Sequence, residues 1–139
     1  MNPGCDLESS RRAVALAEQY SWIYAAVGSH PDAAGRMDDA LLDEYRALSR
    51  SPKVKAIGEI GLDRLRSRDI SPRMREVFEA QLRLAFEFNR PVVLHGAKCW
   101  GQVVKTISSF EHSNIPNIRT FPPLPTPAPH RSSQPAFLS

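Results

Sequence analysis

Val54-Lys55-Ala56-Ile57 runs directly into Gly58-Glu59-Ile60-Gly61-Leu62-Asp63. The first four residues read as a strand, and the next six place two carboxylates among glycines where that strand ends. Two other stretches repeat the design. Trp22-Ile23-Tyr24-Ala25-Ala26-Val27 is aromatic and β-branched, reads as a buried strand, and ends in Gly28-Ser29-His30-Pro31. Pro91-Val92-Val93-Leu94 ends in His95-Gly96.

Helices separate these strands. Asp6 caps a helix reaching about residue 20, with Val14, Ala17 and Tyr20 at helical spacing. Leu41, Tyr45 and Leu48 share one face of a second helix that stops before Pro52. Ser71-Pro72 caps and opens a third, whose face carries Met74, Val77, Phe78, Gln81, Leu82, Ala85 and Phe88. Trp100, Val103, Val104 and Ile107 indicate a fourth, with Trp100 read as core. The order α-β-α-β-α-β-α implies an α/β fold, a parallel sheet with helices on its faces.

In such a sheet the C-terminal strand ends share one edge, where ligands bind. His30, Glu59 and His95, distant in sequence, should therefore converge. Each alone has a simpler structural reading: a framework histidine, a loop-capping carboxylate, or for Asp63 a turn residue. Their repeated placement favours a divalent metal held by a carboxylate and imidazoles. Lys98, three residues beyond His95, reads as a solvated lysine that could reach an anion.

Composition bounds the rest. At 139 residues, with 42% hydrophobic and 24% charged residues, the chain can build one packed domain. No apolar run approaches the roughly 20 residues of a membrane span, and the first residues hold no signal-peptide core. Cys5 and Cys99 form no disulfide framework, which points to a reducing, cytoplasmic compartment. The net charge of +3 is not a basic face, because residues 1–112 hold 16 Lys+Arg against 15 Asp+Glu. Seven of the 12 prolines follow Asn114, so residues 113–139 read as a disordered, partly polyproline-like tail. Pro122-Pro123-Leu124-Pro125 within it could dock an SH3-type domain, although a tail without function is the simpler reading. The domain expectation is thus 1–112 folded and 113–139 tail.

Ala26-Val27-Gly28-Ser29-His30-Pro31, Ala56-Ile57-Gly58-Glu59-Ile60-Gly61-Leu62-Asp63, Phe78-Glu79-Ala80-Gln81-Leu82-Arg83-Leu84-Ala85 and Pro91-Val92-Val93-Leu94-His95 resemble the TatD family of metal-dependent deoxyribonucleases. Gly4-Cys5-Asp6-Leu7-Glu8-Ser9 resembles the segment after that family's second strand. The resemblance covers residues 4–107 and implies a partial (β/α)8 TIM barrel, roughly strands 3–5 with their helices. It implies two divalent metal ions (Mg, Mn or Zn), with Glu59 bridging them and His95 ligating one. His30 and Asp63 match active-site positions that orient substrate or the ligands. DNA phosphodiesters would be the substrate, hydrolysed by metal-activated water.

The chain also departs from the pattern. No His-x-His occurs, the later barrel His and Asp are not matched by His112 or His130, and Gly96-Ala97-Lys98 stands where many members carry Ser-Arg-Asp. Met74 stands where glutamine is common. A (β/α)8 barrel takes about 250 residues, so the expectation is a middle fragment, with a frameshift or intron read-through near Ser113. Such a fragment should be catalytically impaired, with open sheet edges through which copies associate. Two alternatives are a non-catalytic fragment acting only by that association and an amidohydrolase-type barrel fragment acting on other bonds.

Overall fold

The computed structural model describes residues 1–66 and 68–114. Of the tail expectation, residues 113 and 114 belong to the last helix, and 115–139, including the proline motif, lie outside the described residues. Four strands, β1 (Asn2–Pro3), β2 (Ala25–Val27), β3 (Val54–Asp63) and β4 (Val92–Ala97), form one sheet in the order β1-β2-β3-β4. Every pairing is parallel. The crossovers run through α1 (Leu7–Gln19), a 3-10 helix (Pro31–Arg36) with α2 (Asp39–Ser49), and α3 (Pro72–Glu87); α4 (Trp100–Asn114) follows β4. This is the curled half of an α/β barrel.

Local chemistry explains the helix starts. Asp6 Oδ1 accepts from the Ser9 amide at 2.8 Å while Ser9 Oγ accepts from the Asp6 amide at 3.0 Å, a reciprocal capping box. Ser71 Oγ accepts from the Met74 amide at 3.1 Å, and Pro72 occupies the first helical position. The buried face of α3 carries Met74, Val77, Phe78, Leu82, Leu84 and Ala85, packed against β3. Ile57, Ile60 and Leu62 of β3 are fully buried beside Phe78, Tyr45 and Val27, so the core lies between the sheet and its outer helices.

Three local expectations fail. The segment 22–27 is not one buried strand: only Ala25–Val27 pairs, while Trp22 is 75% exposed and Tyr24 is exposed. Lys53 Nζ instead donates to the carbonyls of Tyr20, Ser21 and Ile23 at 2.9–3.1 Å, holding that stretch as a loop. Trp100 is exposed rather than core, lying over Gly96, where no side chain stands in its way. The strand beginning at Val54 does not end at Ile57. It runs to Asp63, with a register shift between Gly58 and Ile60, so Glu59 lies inside β3; His95 likewise lies inside β4.

Tyr45 is fully buried on α2, and burial pushes its phenol up to about 12, against the opposing pull of the adjacent Ser29 hydroxyl. The fold thus favours neutral tyrosine. Its stabilising contribution is complete below the ordinary tyrosine value near 10 and is lost as pH rises from about 10 to about 12. The loss is expected to be on the order of 2 to 3 kcal/mol. Urea melts at successive alkaline pH values check this; Tyr45→Phe should flatten that part of the profile.

Candidate metal centre

The end of β2 delivers His30. Gln81, buried on α3, accepts from the Ser29 amide at 2.7 Å and donates to the Ser29 carbonyl at 3.1 Å. This two-point clamp fixes the backbone immediately before the histidine. Pro31 then starts the 3-10 helix, which turns the chain away and leaves the His30 ring over the sheet edge. Asp32 serves the ring twice. Its amide lies 3.2 Å from His30 Nδ1 and its carboxylate 3.5 Å from the same atom, so either tautomer finds a partner there. Nε2 is left to face the site.

His95 is the hub. Its Nδ1 lies 3.2 Å from Glu59 Oε1 and 3.2 Å from His30 Nε2. Its Nε2 lies 3.0 Å from Asp63 Oδ2. Asp63 closes β3 and is 4% exposed. Burial pushes its carboxyl up, but the amide of Leu65, the His95 ring and the amide of Arg66 outweigh that and hold it below the ordinary carboxylate range. A carboxylate on Nε2 keeps the proton there and turns the Nδ1 lone pair toward Glu59 and His30.

The donor set fits a divalent ion. One atom from each of His30, Glu59 and His95 can be chosen so that all lie within 4.8 Å of one another. Donors about 2.1 Å from a tetrahedral ion sit about 3.4 Å apart, close to the two separations at His95 Nδ1. The side chains of His30, Glu59 and His95 are 18%, 32% and 21% exposed, so the centre is open on one side, as a reacting site must be. It faces a cavity of about 480 Å³, walled also by Cys5, Asp32 and Arg36.

A profile of the TatD related DNase family matches residues 1–121. The chain belongs to that family. It is 39% identical over 101 residues to the uncharacterized metal-dependent hydrolase YabD of Bacillus subtilis, covering 73% of this chain and 40% of that protein. It is 37% identical over 92 residues to the 3'-5' ssDNA/RNA exonuclease TatD of Citrobacter koseri, covering 66% of this chain and 35% of that protein. The crystal structure of YjjV, a TatD homologue from Escherichia coli, superposes with a TM-score of 0.70 at 32% identity, over 78% of this chain and 43% of that one. The chain therefore spans well under half the length of these TatD relatives.

Among the described residues the structure brings together His30, Glu59, His95 and Asp63. Lys98 stands apart: it follows β4 in the left-handed region at φ 55°, exposed, outside the residues that wall the cavity. Sequence reading placed Gln81 on the helix face without a role, and missed Asp32 and Arg36. The His-Pro-Asp order was the available signal for Asp32, because a carboxylate two residues beyond a histidine can reach back to its ring. Cys5 and Cys99 are both free thiols, the first exposed and the second buried. No described helix is long and apolar enough to cross a membrane.

Asp63→Asn tests the orienting role. The amide keeps the size of the side chain but no longer dictates which ring nitrogen of His95 is protonated. Zinc affinity is expected to fall roughly 10- to 100-fold with the fold retained. Competition against a chromophoric chelator measures it, and an unchanged affinity would remove Asp63 from the site.

Proposed function

We propose that this chain holds one divalent metal ion on His30 Nε2, Glu59 and His95 Nδ1, and that the site acts on phosphodiester bonds of nucleic acid. The observation behind this is the convergence on His95 Nδ1 of a carboxylate and a second imidazole, each at 3.2 Å. The names of the relatives supply the substrate class, since several are 3'-5' ssDNA/RNA exonucleases. When bound, such an ion offers Lewis acidity toward phosphoryl oxygens and a water acidified toward neutrality. Asp63 holds the His95 proton away from the donor face, Asp32 offers His30 Nδ1 a partner in either tautomer, and Gln81 keeps the His30 backbone in place. A second ion, as the family resemblance implies, would need further donors of the His-x-His kind, which do not occur in this sequence. Turnover is therefore proposed to be far slower than in full-length relatives. Lys98, on the same sheet edge, is proposed to meet phosphates farther along the strand. Free cysteines suit a reducing, cytoplasmic compartment.

The test is a cobalt titration of chelator-stripped chain, followed by end-labelled single-stranded DNA. One ion per chain and slow cleavage that ceases on chelation are the expected results. No binding at millimolar cobalt would sink the reading.

Among the described residues β4 pairs only with β3, leaving its other edge open. Copies are proposed to associate through that edge. Sedimentation velocity should show mass rising with concentration; a monomer at every concentration excludes it.

A further inference from the structure

We propose that Arg36 and a second cavity behind it form a subsite for the nucleotide next to the one held at the metal centre. This deepens the reading above and rests on it. The second cavity, about 270 Å³, adjoins the first, and Asp6, Ala33 and Arg36 line both. It reaches back to Ser29 and Tyr45, past the start of α1. Its volume falls just short of the roughly 300 Å³ at which ordinary small-molecule sites begin, room for one nucleoside unit and little more.

Arg36 ends the 3-10 helix, exposed, and makes no salt bridge among the described residues. Other arginines are committed: Arg66 to Asp32, Arg11 to Glu44 and Arg73 to Glu76. The Arg36 charge is felt by the Asp6 carboxyl, which lines both cavities, yet no salt bridge closes between them; a guanidinium on such a shared wall suits a phosphate that bridges the cavities, because its planar fork matches two phosphate oxygens. Glu8 lines the second cavity alone, and together with Asp6, which lines both, it repels a further bare phosphate there. The lining of that cavity also includes Ser29 and Tyr45, whose buried hydroxyls have no hydrogen-bond partner among the described residues. Anion at the junction and neutral, hydrogen-bonding group beyond is the charge pattern of phosphate followed by sugar and base. The same pattern makes a lone mononucleotide a poor ligand, since it cannot occupy the metal centre and the junction together.

The test uses the full chain loaded with cobalt(II), with cobalt binding followed by calorimetry and ligand binding at low temperature by anisotropy competition. The ligands are thymidine monophosphate and oligothymidylates of two, three and six units. Oligothymidylates of two or more units are expected to bind at least tenfold tighter than the mononucleotide. Arg36→Gln should remove most of that gain, and Arg36→Lys should restore only part of it. Both should leave cobalt affinity within twofold of the parent. The salt dependence of log K should also flatten by about 0.7 in Arg36→Gln, as one phosphate contact on a single strand requires. Equal binding of dinucleotide by parent and Arg36→Gln, with cobalt binding intact, overturns the subsite alone. Failure of the parent to bind cobalt overturns the metal centre and this subsite with it.

Discussion

Gly61→Ala is expected to cost about 4 kcal/mol or more and to dismantle the site along with the fold. Gly61 sits in β3 opposite His95 of β4, at φ 148°, where a side chain is strained. A Cβ built there would lie 2.0 Å from the His95 carbonyl oxygen. The obstacle is backbone, so no rotamer change relieves it. Either β4 moves away and takes His95 from Glu59, or β3 buckles and carries Asp63 with it. At roughly 4 to 8 °C per kcal/mol for a domain of this size, the melting temperature should fall by about 20 °C. Gly101→Ala on α4 is the control: a Cβ there meets nothing within 4 Å, and helix propensity predicts a gain of up to about 1 kcal/mol. Circular dichroism melts of both variants decide the matter. A Gly61→Ala chain that melts with the parent would mean β3 and β4 do not approach as described.

The same contact shows what the sequence could and could not disclose. Glycine at 58 and 61 read as punctuation, so the strand was expected to stop at Ile57. In the structure the glycines are what allow β3 to continue, because only a residue without Cβ can pass so close to Val93 and His95. The direction of the error did not harm the site. A parallel sheet sends His30, Glu59 and His95 toward one another whether they lie inside the strands or just beyond them, so alternation sufficed to expect their convergence.

What stayed hidden depended on which elements cover which. Trp22, Ile23 and Tyr24 have strand-like side chains, yet β1 and β3 pair with β2 only from Ala25 onward, and nothing in residue type marks that limit. Gln81 occupied an apolar helical face as an unexplained polar residue. Its role appears only once α3 is laid against the Ser29 turn, 52 residues away in sequence. Arg36 carried no signal at all, because an arginine with no salt bridge among the described residues is recognised only after the other ion pairs have been assigned in space.

Glu59→Gln is expected to weaken zinc or cobalt binding by more than about 100-fold, beyond what loss of an orienting partner such as Asp63 would do. The substitution keeps the length and the hydrogen-bonding capacity of the side chain. It removes the negative charge that an ion between two neutral imidazoles needs, and the amide oxygen is a poor substitute for a carboxylate donor. Stability of the metal-free chain should hardly change, since Glu59 is partly exposed and its place in β3 is held by its amide, which donates to the Gly4 carbonyl at 3.0 Å. The loss should therefore surface only on adding metal. An ion at 100 times its dissociation constant stabilises the native chain by about 2.7 kcal/mol, a melting shift of roughly 10 to 20 °C. That shift should be present in the parent and absent in Glu59→Gln at the same metal concentration. Glu79→Gln, exposed in part on α3 and spaced with Arg83 as an ordinary helix ion pair, should keep the full shift. An equal shift in all three chains would place the ion elsewhere, and would separate the family resemblance of this segment from any metal chemistry of its own.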